Sequence, residues 1–358
     1  MTASVLGILD RYLARQVIGA TLLVALLLVA LSAFLQLLAQ LDALTGDYGL
    51  VEAFHFVLLS APQQLYEMLP MAVLLGSLIG LGQLSSANEL MVMRAAGVSI
   101  LRLARGALLG GAIIALAAFL IGEFVAPSAE QYARSMKSIA RMQRVTWLGA
   151  SGVWARDGHR FVNVRQMLRE DELRDVFVYE LDDNGELQRM LAADEAHIGS
   201  DGWQLRDISI TGFTTGGVET RRVERASWET LLSPSLLRLF VVDPDTLSMQ
   251  GLVRYIGYLE RNGLETQRFE QAFWIKLVAP LSVLVMVLLA VPFVFGPMRS
   301  VGQGQRVIFG VLIGVGFYVF NLTLAQSGLV FGLNPFVSAW LPTVLFAIGS
   351  VVALLRVR

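Results

Sequence analysis

The stretch VIFGVLIGVGFYVFNLTLAQSGLVFGLNPFVSAWLPTVLFAIGSVVALL, from Val307 to Leu355, decides the fold. It runs 49 residues without one charged side chain. As a single helix it would be about 70 Å long, against a bilayer core of roughly 30 Å. Gly328-Leu329-Val330-Phe331-Gly332-Leu333-Asn334-Pro335 breaks it in the middle. The sequence therefore predicts two membrane-spanning helices joined by a short turn.

Four further runs carry few or no charges: Val17–Leu41, Met68–Asn88, Gly106–Gly122 and Leu277–Met298. Each supplies about 20 residues of span, which makes six transmembrane helices in all. Between the third and fourth lies a stretch of ordinary soluble composition, roughly Ala126 to Phe269. The expected organisation is spans 1–3 in residues 1–126, a soluble domain in 127–269, and spans 4–6 in 270–358. Charged residues are 16% of the chain, against about 25% in soluble domains. Val17–Leu41 is too long for the apolar core of a cleavable signal, and no small-residue cleavage site follows it, so it is expected to remain as the first span. The absence of cysteine excludes disulfides and leaves the redox compartment open. The net charge of −1 gives no sign of nucleic acid as a partner.

Short loops orient membrane proteins through Lys and Arg. Arg11 and Arg15 precede span 1; Arg94, Arg102 and Arg105 lie between spans 2 and 3. Arg299 and Arg306 lie between spans 4 and 5, and Arg356 and Arg358 end the chain. The opposite short loops, near Asp42–Leu50 and Gly328–Asn334, contain no Lys or Arg. Both termini are thus expected in the cytoplasm and the soluble domain outside.

That domain reads as strands. Phe161-Val162-Asn163-Val164 and Val176-Phe177-Val178-Tyr179 are β-rich. Turn signals at Asp157-Gly158, Asn184-Gly185, Asp201-Gly202 and Gly216-Gly217 separate the runs. Trp203 and Leu205 share one parity while Ile208 and Ile210 share the other, so a bulge is expected near Arg206-Asp207. An all-β sandwich or open barrel fits this pattern.

Three constellations carry functional content. After span 3, Arg134, Lys137, Arg141 and Arg144 are spaced three, four and three apart, which puts them on one helix face. At the outer membrane face such cations suit a phosphate-bearing lipid headgroup; a solvated face with Glu130 as partner is the plainer alternative. Between spans 2 and 3, Ser86-Ala87-Asn88-Glu89 has the form of a capping box opening a short helix that Gly97 closes. Its Leu90, Met91 and Met93, followed by Arg94, could dock into a partner's groove; for Glu89 capping alone is a sufficient explanation. Finally, Gly-x-x-x-Gly occurs at Gly76/Gly80, Gly106/Gly110, Gly310/Gly314 and Gly328/Gly332, and says only that helices pack.

Enzyme signatures are missing. His55, His159 and His197 form no His-Glu-x-x-His, there is no Gly-x-Ser-x-Gly, and neither Lys137 nor Lys276 sits in a P-loop. No metal or cofactor is expected on this chain. Spans 1, 4, 5 and 6 carry no internal acid or base in this reading, and Glu67 and Glu123 fall toward outer ends, which argues against an ion-driven carrier.

Several segments resemble the lipopolysaccharide-export permeases of Gram-negative inner membranes. These are Leu9-Asp10-Arg11-Tyr12, Leu69-Pro70-Met71-Ala72, the loop Asn88 to Gly97, and Gly122-Glu123-Phe124-Val125-Ala126-Pro127. Gly152-Val153-Trp154-Ala155-Arg156-Asp157-Gly158 and Phe295-Gly296-Pro297-Met298-Arg299-Ser300 look like the G-type subunit rather than its F paralogue. The resemblance runs end to end. It implies six transmembrane helices with an inserted periplasmic β-jellyroll, and a heterodimer with the paralogous F subunit. It also implies a cytoplasmic ATPase dimer that uses ATP and Mg2+, a single-span periplasmic bridge protein (LptC-like), and lipopolysaccharide as substrate. The helix near 86–97 becomes a coupling helix carrying Glu89, Leu90, Met91, Met93 and Arg94, and substrate contacts are carried over at Arg134 and Lys137. Several family members carry lysines near the outer end of span 1. Here Gln36 and Gln40 stand in that stretch; they can hydrogen-bond a headgroup but cannot neutralise it. A membrane-anchored β-domain scaffold that moves nothing is the alternative without the resemblance, and an intramembrane hydrolase lacks a catalytic set.

Overall fold

The computed structural model describes residues 7–41, 49–141, 146–147, 153–157, 160–169, 172–182, 185–199, 202–214, 217–228, 243–295 and 302–356. Two compact units emerge. The first comprises Met1–Lys137, Ser248–Leu252 and Gln267–Arg358; the second comprises Ser138–Leu247 and Val253–Thr266.

In the first unit, α1 (Ile8–Leu41), α2 (Leu50–Ser86), the short α3 (Glu89–Ala95) and α4 (Ile100–Leu120) follow one another. A π-turn (Ile121–Val125) joins α4 to α5 (Ala126–Arg141). After the sheet come α6 (Met249–Arg261), of which only residues 249–252 belong to this unit, then α7 (Gln267–Phe295), α8 (Gln303–Phe331) and α9 (Pro335–Arg356). Six of these segments are long and apolar enough to cross a bilayer, the third being the continuous stretch Ile100–Lys137. With 34 residues in α1 and 37 in α2, these helices are about 50–55 Å long and outreach a hydrocarbon core of roughly 30 Å. The C-terminal apolar run breaks where its sequence says it should. Gly332 closes α8 at φ 63°, the left-handed conformation that favours glycine. Asn334 Oδ1 then accepts the Phe336 N–H at 2.9 Å, with Pro335 as the first residue of α9.

Glycines set the helix packing. A Cβ on Gly76 would lie 2.4 Å from the Thr21 Cα, and one on Gly80 2.9 Å from the Gln16 carbonyl oxygen. On α4, Gly106 faces Leu13 and Gly110 faces the Ala14 backbone at 2.9 Å. The first half of α1 thus lies in a groove floored by glycines of two helices. Gly310 and Gly314 do the same for α8, against Leu75, Leu78 and Met71 of α2. Buried Leu13, Val73, Leu74, Leu78, Leu103, Ala107, Met286 and Val287 fill the centre. The remaining face of α1 is apolar and open, with Leu22, Leu26, Leu31 and Phe34 all more than half exposed, as a lipid-facing helix requires.

The second unit holds the remainder of α6 and one antiparallel sheet of β1 (Thr146–Trp147), β2 (Val153–Asp157), β3 (Arg160–Arg169), β4 (Glu172–Leu181), β5 (Leu187–Gly199), β6 (Gly202–Thr214) and β7 (Gly217–Trp228). Its described strands run as a meander, β3 to β7 in sequence order, with β1 and β2 both on β3. The turn dipeptides named above each include a residue outside the described ones, Asp157-Gly158 among them. The bulge expected near Arg206-Asp207 is not there: Glu195↔Arg206 and Ala193↔Ile208 hold one register. Asp207 instead adopts φ 50°, which rotates the strand so that buried Trp203 and Leu205 are followed by buried Ile208. Asp175 does the same on β4 with φ 51°, between buried Leu173 and Val176. Aspartate tolerates this conformation better than most side chains.

Gly76→Val should destabilise the membrane unit by about 1–3 kcal/mol, because the new side chain meets backbone rather than a mobile tip. Gly19→Ala, with nothing within 4 Å, should be neutral. Thermal denaturation of the two variants in detergent checks the contrast.

Candidate functional site

Two places in the membrane unit collect the residues singled out in the sequence. The first is the elbow between α2 and α3. The expected capping box does not form. Ser86 is the last residue of α2 and its hydroxyl donates back to the Gly82 carbonyl at 3.0 Å. Asn88 precedes α3 at φ 60° and makes no side-chain cap. Glu89 is turned elsewhere, accepting the Tyr12 hydroxyl at 2.7 Å. Leu90 is buried and Met93 packs against the core, which fixes α3 on the bundle, whereas Met91 and Val92 are exposed. Beside α3 is a cleft of about 370 Å³ whose lining includes Asn88, Leu90, Met91, Arg94 and Phe295. Of the sequence-named set, Leu90, Met91 and Arg94 line this cleft, while Glu89 and Met93 do not.

The same elbow receives a residue that the sequence reading used only for orientation. Arg306 of α8 is 2% exposed and donates from Nη1 to the Gly82 carbonyl at 2.5 Å and to Ser86 Oγ at 3.2 Å. A Cβ on Gly82 would lie 2.8 Å from that nitrogen, so the glycine admits the guanidinium. The available signal was the Arg306-x-x-x-Gly310-x-x-x-Gly314 spacing, which puts the arginine on the packed stripe of α8.

The second place is the opposite end of the bundle, where α1, α2 and α5 meet. Phe56, Val57 and Ala133 are buried together there, with Leu37 and Met136 packed on them. Lys137 Nζ donates to Gln40 Oε1 at 2.7 Å and lies 4.6 Å from the Phe56 ring centroid, a cation–π distance. Gln36 is hydrogen-bonded by Gln64. Arg134 is paired with buried Glu130 at 2.8 Å, its own side chain about half exposed at 49%. The structure thus brings Gln40 and Lys137 into contact, bonds Gln36 of α1 to Gln64 of α2, and gives Arg134 the carboxylate partner of the plainer reading. Arg144 and the Arg141 side chain lie outside the described residues.

Below that end, span 4 begins earlier than the sequence suggested. Lys276 belongs to α7, is 6% exposed and donates to the Gly122 carbonyl at 3.2 Å. That carbonyl lies in the π-turn, where the regular helix bonding is interrupted. Gly122 itself admits the Tyr66 ring, 2.4 Å from where a Cβ would stand. The turn aims Glu123 at the start of α6, whose Met249 N–H it accepts at 2.8 Å. Glu123 is therefore a helix-capping carboxylate, a role its position in sequence did not reveal.

Six apolar spans, three on either side of an inserted antiparallel sheet, define a multi-pass membrane protein with a β-domain between its two helical halves. The chain belongs to the lipopolysaccharide export system permease family LptF/LptG, whose profile matches residues 11–356. It is 34% identical over 354 residues to the lipopolysaccharide export system permease protein LptG of Escherichia coli (strain K12), covering 98% of both chains. It is also 34% identical over 343 residues to the protein of that name from Haemophilus influenzae, covering 95% of this chain and 96% of the relative.

Glu123→Ala should cost about 2 kcal/mol of stability by leaving the α6 N-terminus without its charged acceptor, and Glu123→Gln should cost less because the amide oxygen still accepts. Melting temperatures of the purified variants check the order.

Proposed function

We propose that this chain is the G-type permease subunit of an exporter that draws lipopolysaccharide from the inner membrane toward a periplasmic bridge. In this reading it pairs with a paralogous F-type subunit and sits on a cytoplasmic ATPase dimer. The lipid passes to a single-span periplasmic bridge protein. Both termini are cytoplasmic and the sheet unit is periplasmic, with jellyroll-like periplasmic domains forming the lipid's path. ATP and Mg2+ belong to the ATPase, and this chain supplies neither a nucleotide site nor a catalytic group.

The observation that carries the proposal is the placement of α3. It is rooted in the core by Leu90, yet presents Met91 and Val92 outward beside a cleft with Arg94 on its wall. Exposed methionine at a groove suits an adaptable protein contact. A passive anchor has no use for such a segment. At the far end, Lys137 holds its ammonium against Gln40, where the headgroup would arrive. Its cation–π contact and the Arg134–Glu130 pair pre-organise both cations. A charge-assisted bond to phosphate would contribute roughly 1.5–3 kcal/mol.

Two experiments test this reading. The purified chain should hydrolyse no ATP by itself and should gain the activity on reconstitution with the F-type subunit and the ATPase. Hydrolysis by the isolated chain would refute the division of labour. Photocrosslinking of lipopolysaccharide to the assembled permease should fall about tenfold in Arg134→Ala/Lys137→Ala, with more of the loss from Lys137, because Arg134 already has a carboxylate. Equal crosslinking at matched expression and thermal stability would return both cations to a structural role.

A further inference from the structure

Two helices with open apolar faces, α1 and α8, are both hydrogen-bonded to the elbow that carries α3. From α1, Tyr12 donates to Glu89 at 2.7 Å, and one turn on Gln16 donates to Gln83 at 3.0 Å. From α8, buried Arg306 reaches the Gly82 carbonyl and Ser86 Oγ. These contacts converge on the eight residues from Gly82 to Glu89. Between this elbow and the far ends, where Gln64 and Lys137 bond α1 and Gln267 and Gln271 of α7 bond α8, the two helices pack on glycines of close approach.

We propose that Tyr12 and Arg306 are positioning residues of the transport cycle, which deliver a displacement of α3 to α1 and α8 together. The inference rests on the reading of α3 as the ATPase seat. The geometry argues for a paired response. Arg306 is buried in the end of α2, with its guanidinium close over Gly82, where a Cβ would stand 2.8 Å from Nη1. Tyr12 grips the first residue of α3 itself, so rotation of that helix pulls on the first turns of α1. Because Glu89 faces Tyr12 within the chain, its carboxylate acts as the inner end of the seat, and Arg94 at the cleft is left as the charge toward the partner. A phenylalanine at position 12 would keep the packing and lose the link.

The chain has no cysteine, so spin labels can be placed at will. Labels at Leu31→Cys on α1 and Val319→Cys on α8, both more than half exposed, report the separation of the two helices in the reconstituted complex. The wild-type background should show a change in that separation when nucleotide is trapped with vanadate. Tyr12→Phe and Arg306→Met should each reduce the change by at least half, and should release at least fivefold less lipid per ATP hydrolysed in proteoliposomes, with the complex still assembled. An unaltered change in separation in Tyr12→Phe, or an unaltered lipid-to-ATP ratio, overturns the proposal while leaving the exporter reading intact. No change in the wild-type background, with no lipid released, removes the seat reading and this inference with it. Should Arg306→Met fail to assemble, the isosteric Tyr12→Phe alone decides.

Discussion

The closeness of α1 to α2 and α4 is the constraint on which the membrane unit depends. In a bilayer, apolar side chains gain nothing by leaving lipid for one another, so helices associate through close van der Waals contact and the hydrogen bonds it permits. Gly76, Gly80, Gly106 and Gly110 supply that closeness by bringing the α1 backbone against two neighbours. The polar contacts of the α3 end follow from it. Tyr12 reaches Glu89, and Gln16 reaches Gln83, only because the helices below them nearly touch. The far half of α1 lacks such a floor and shows an open leucine face instead.

Much of this was legible in the sequence, and the misses have physical causes. Span number and the break at Gly328–Pro335 follow from hydropathy and turn chemistry, which are local. The Gly-x-x-x-Gly pairs were visible, but a glycine does not name its partner. Gly310 and Gly314 turn out to face α2, while the last pair divides into a packing residue, Gly328, and a helix terminator, Gly332. The capping box at Ser86–Glu89 failed because both members had better partners. Ser86 finds Gly82 in its own helix, and Glu89 finds a tyrosine 77 residues away. Local pattern cannot weigh a distant competitor. In the sheet, the parity switch was read correctly and its mechanism was not. A single residue at φ 50° reverses the facing of β6 without shifting register, and sequence parity alone does not separate that from a bulge.

Buried charge follows the same rule. Lys276 and Arg306 each donate to a backbone carbonyl of another helix. Gly122 lies in the π-turn and Gly82 lies in the last turn of α2. A backbone carbonyl is one of the partners that make a cation tolerable in a bilayer, and a glycine beneath it provides the room. The sequence marked Arg306 as a loop cation and Lys276 only as a lysine outside any P-loop. Their role as helix-to-helix fasteners required the neighbour to be known.

The glutamines of span 1 acquire a consistent meaning under the proposed reading. A glutamine at position 40 cannot neutralise a phosphate, but its carbonyl oxygen is an acceptor, and it holds the Lys137 ammonium at 2.7 Å. The positive charge that the resemblance led one to expect on the end of span 1 would here be carried by α5 and presented at the same place. A lysine at position 40 would face Lys137 at close range and repel it. The two arrangements are therefore alternatives: a lysine on α1, or a glutamine on α1 that positions the lysine of α5. Gln40→Lys should then fail to improve on the present site, whereas Gln40→Lys combined with Lys137→Gln should restore the same charge from the other helix. Crosslinking of lipopolysaccharide that is lower in the single variant and recovered in the exchange would identify the pair as one unit. An increase in the single variant would show that the two positions act separately.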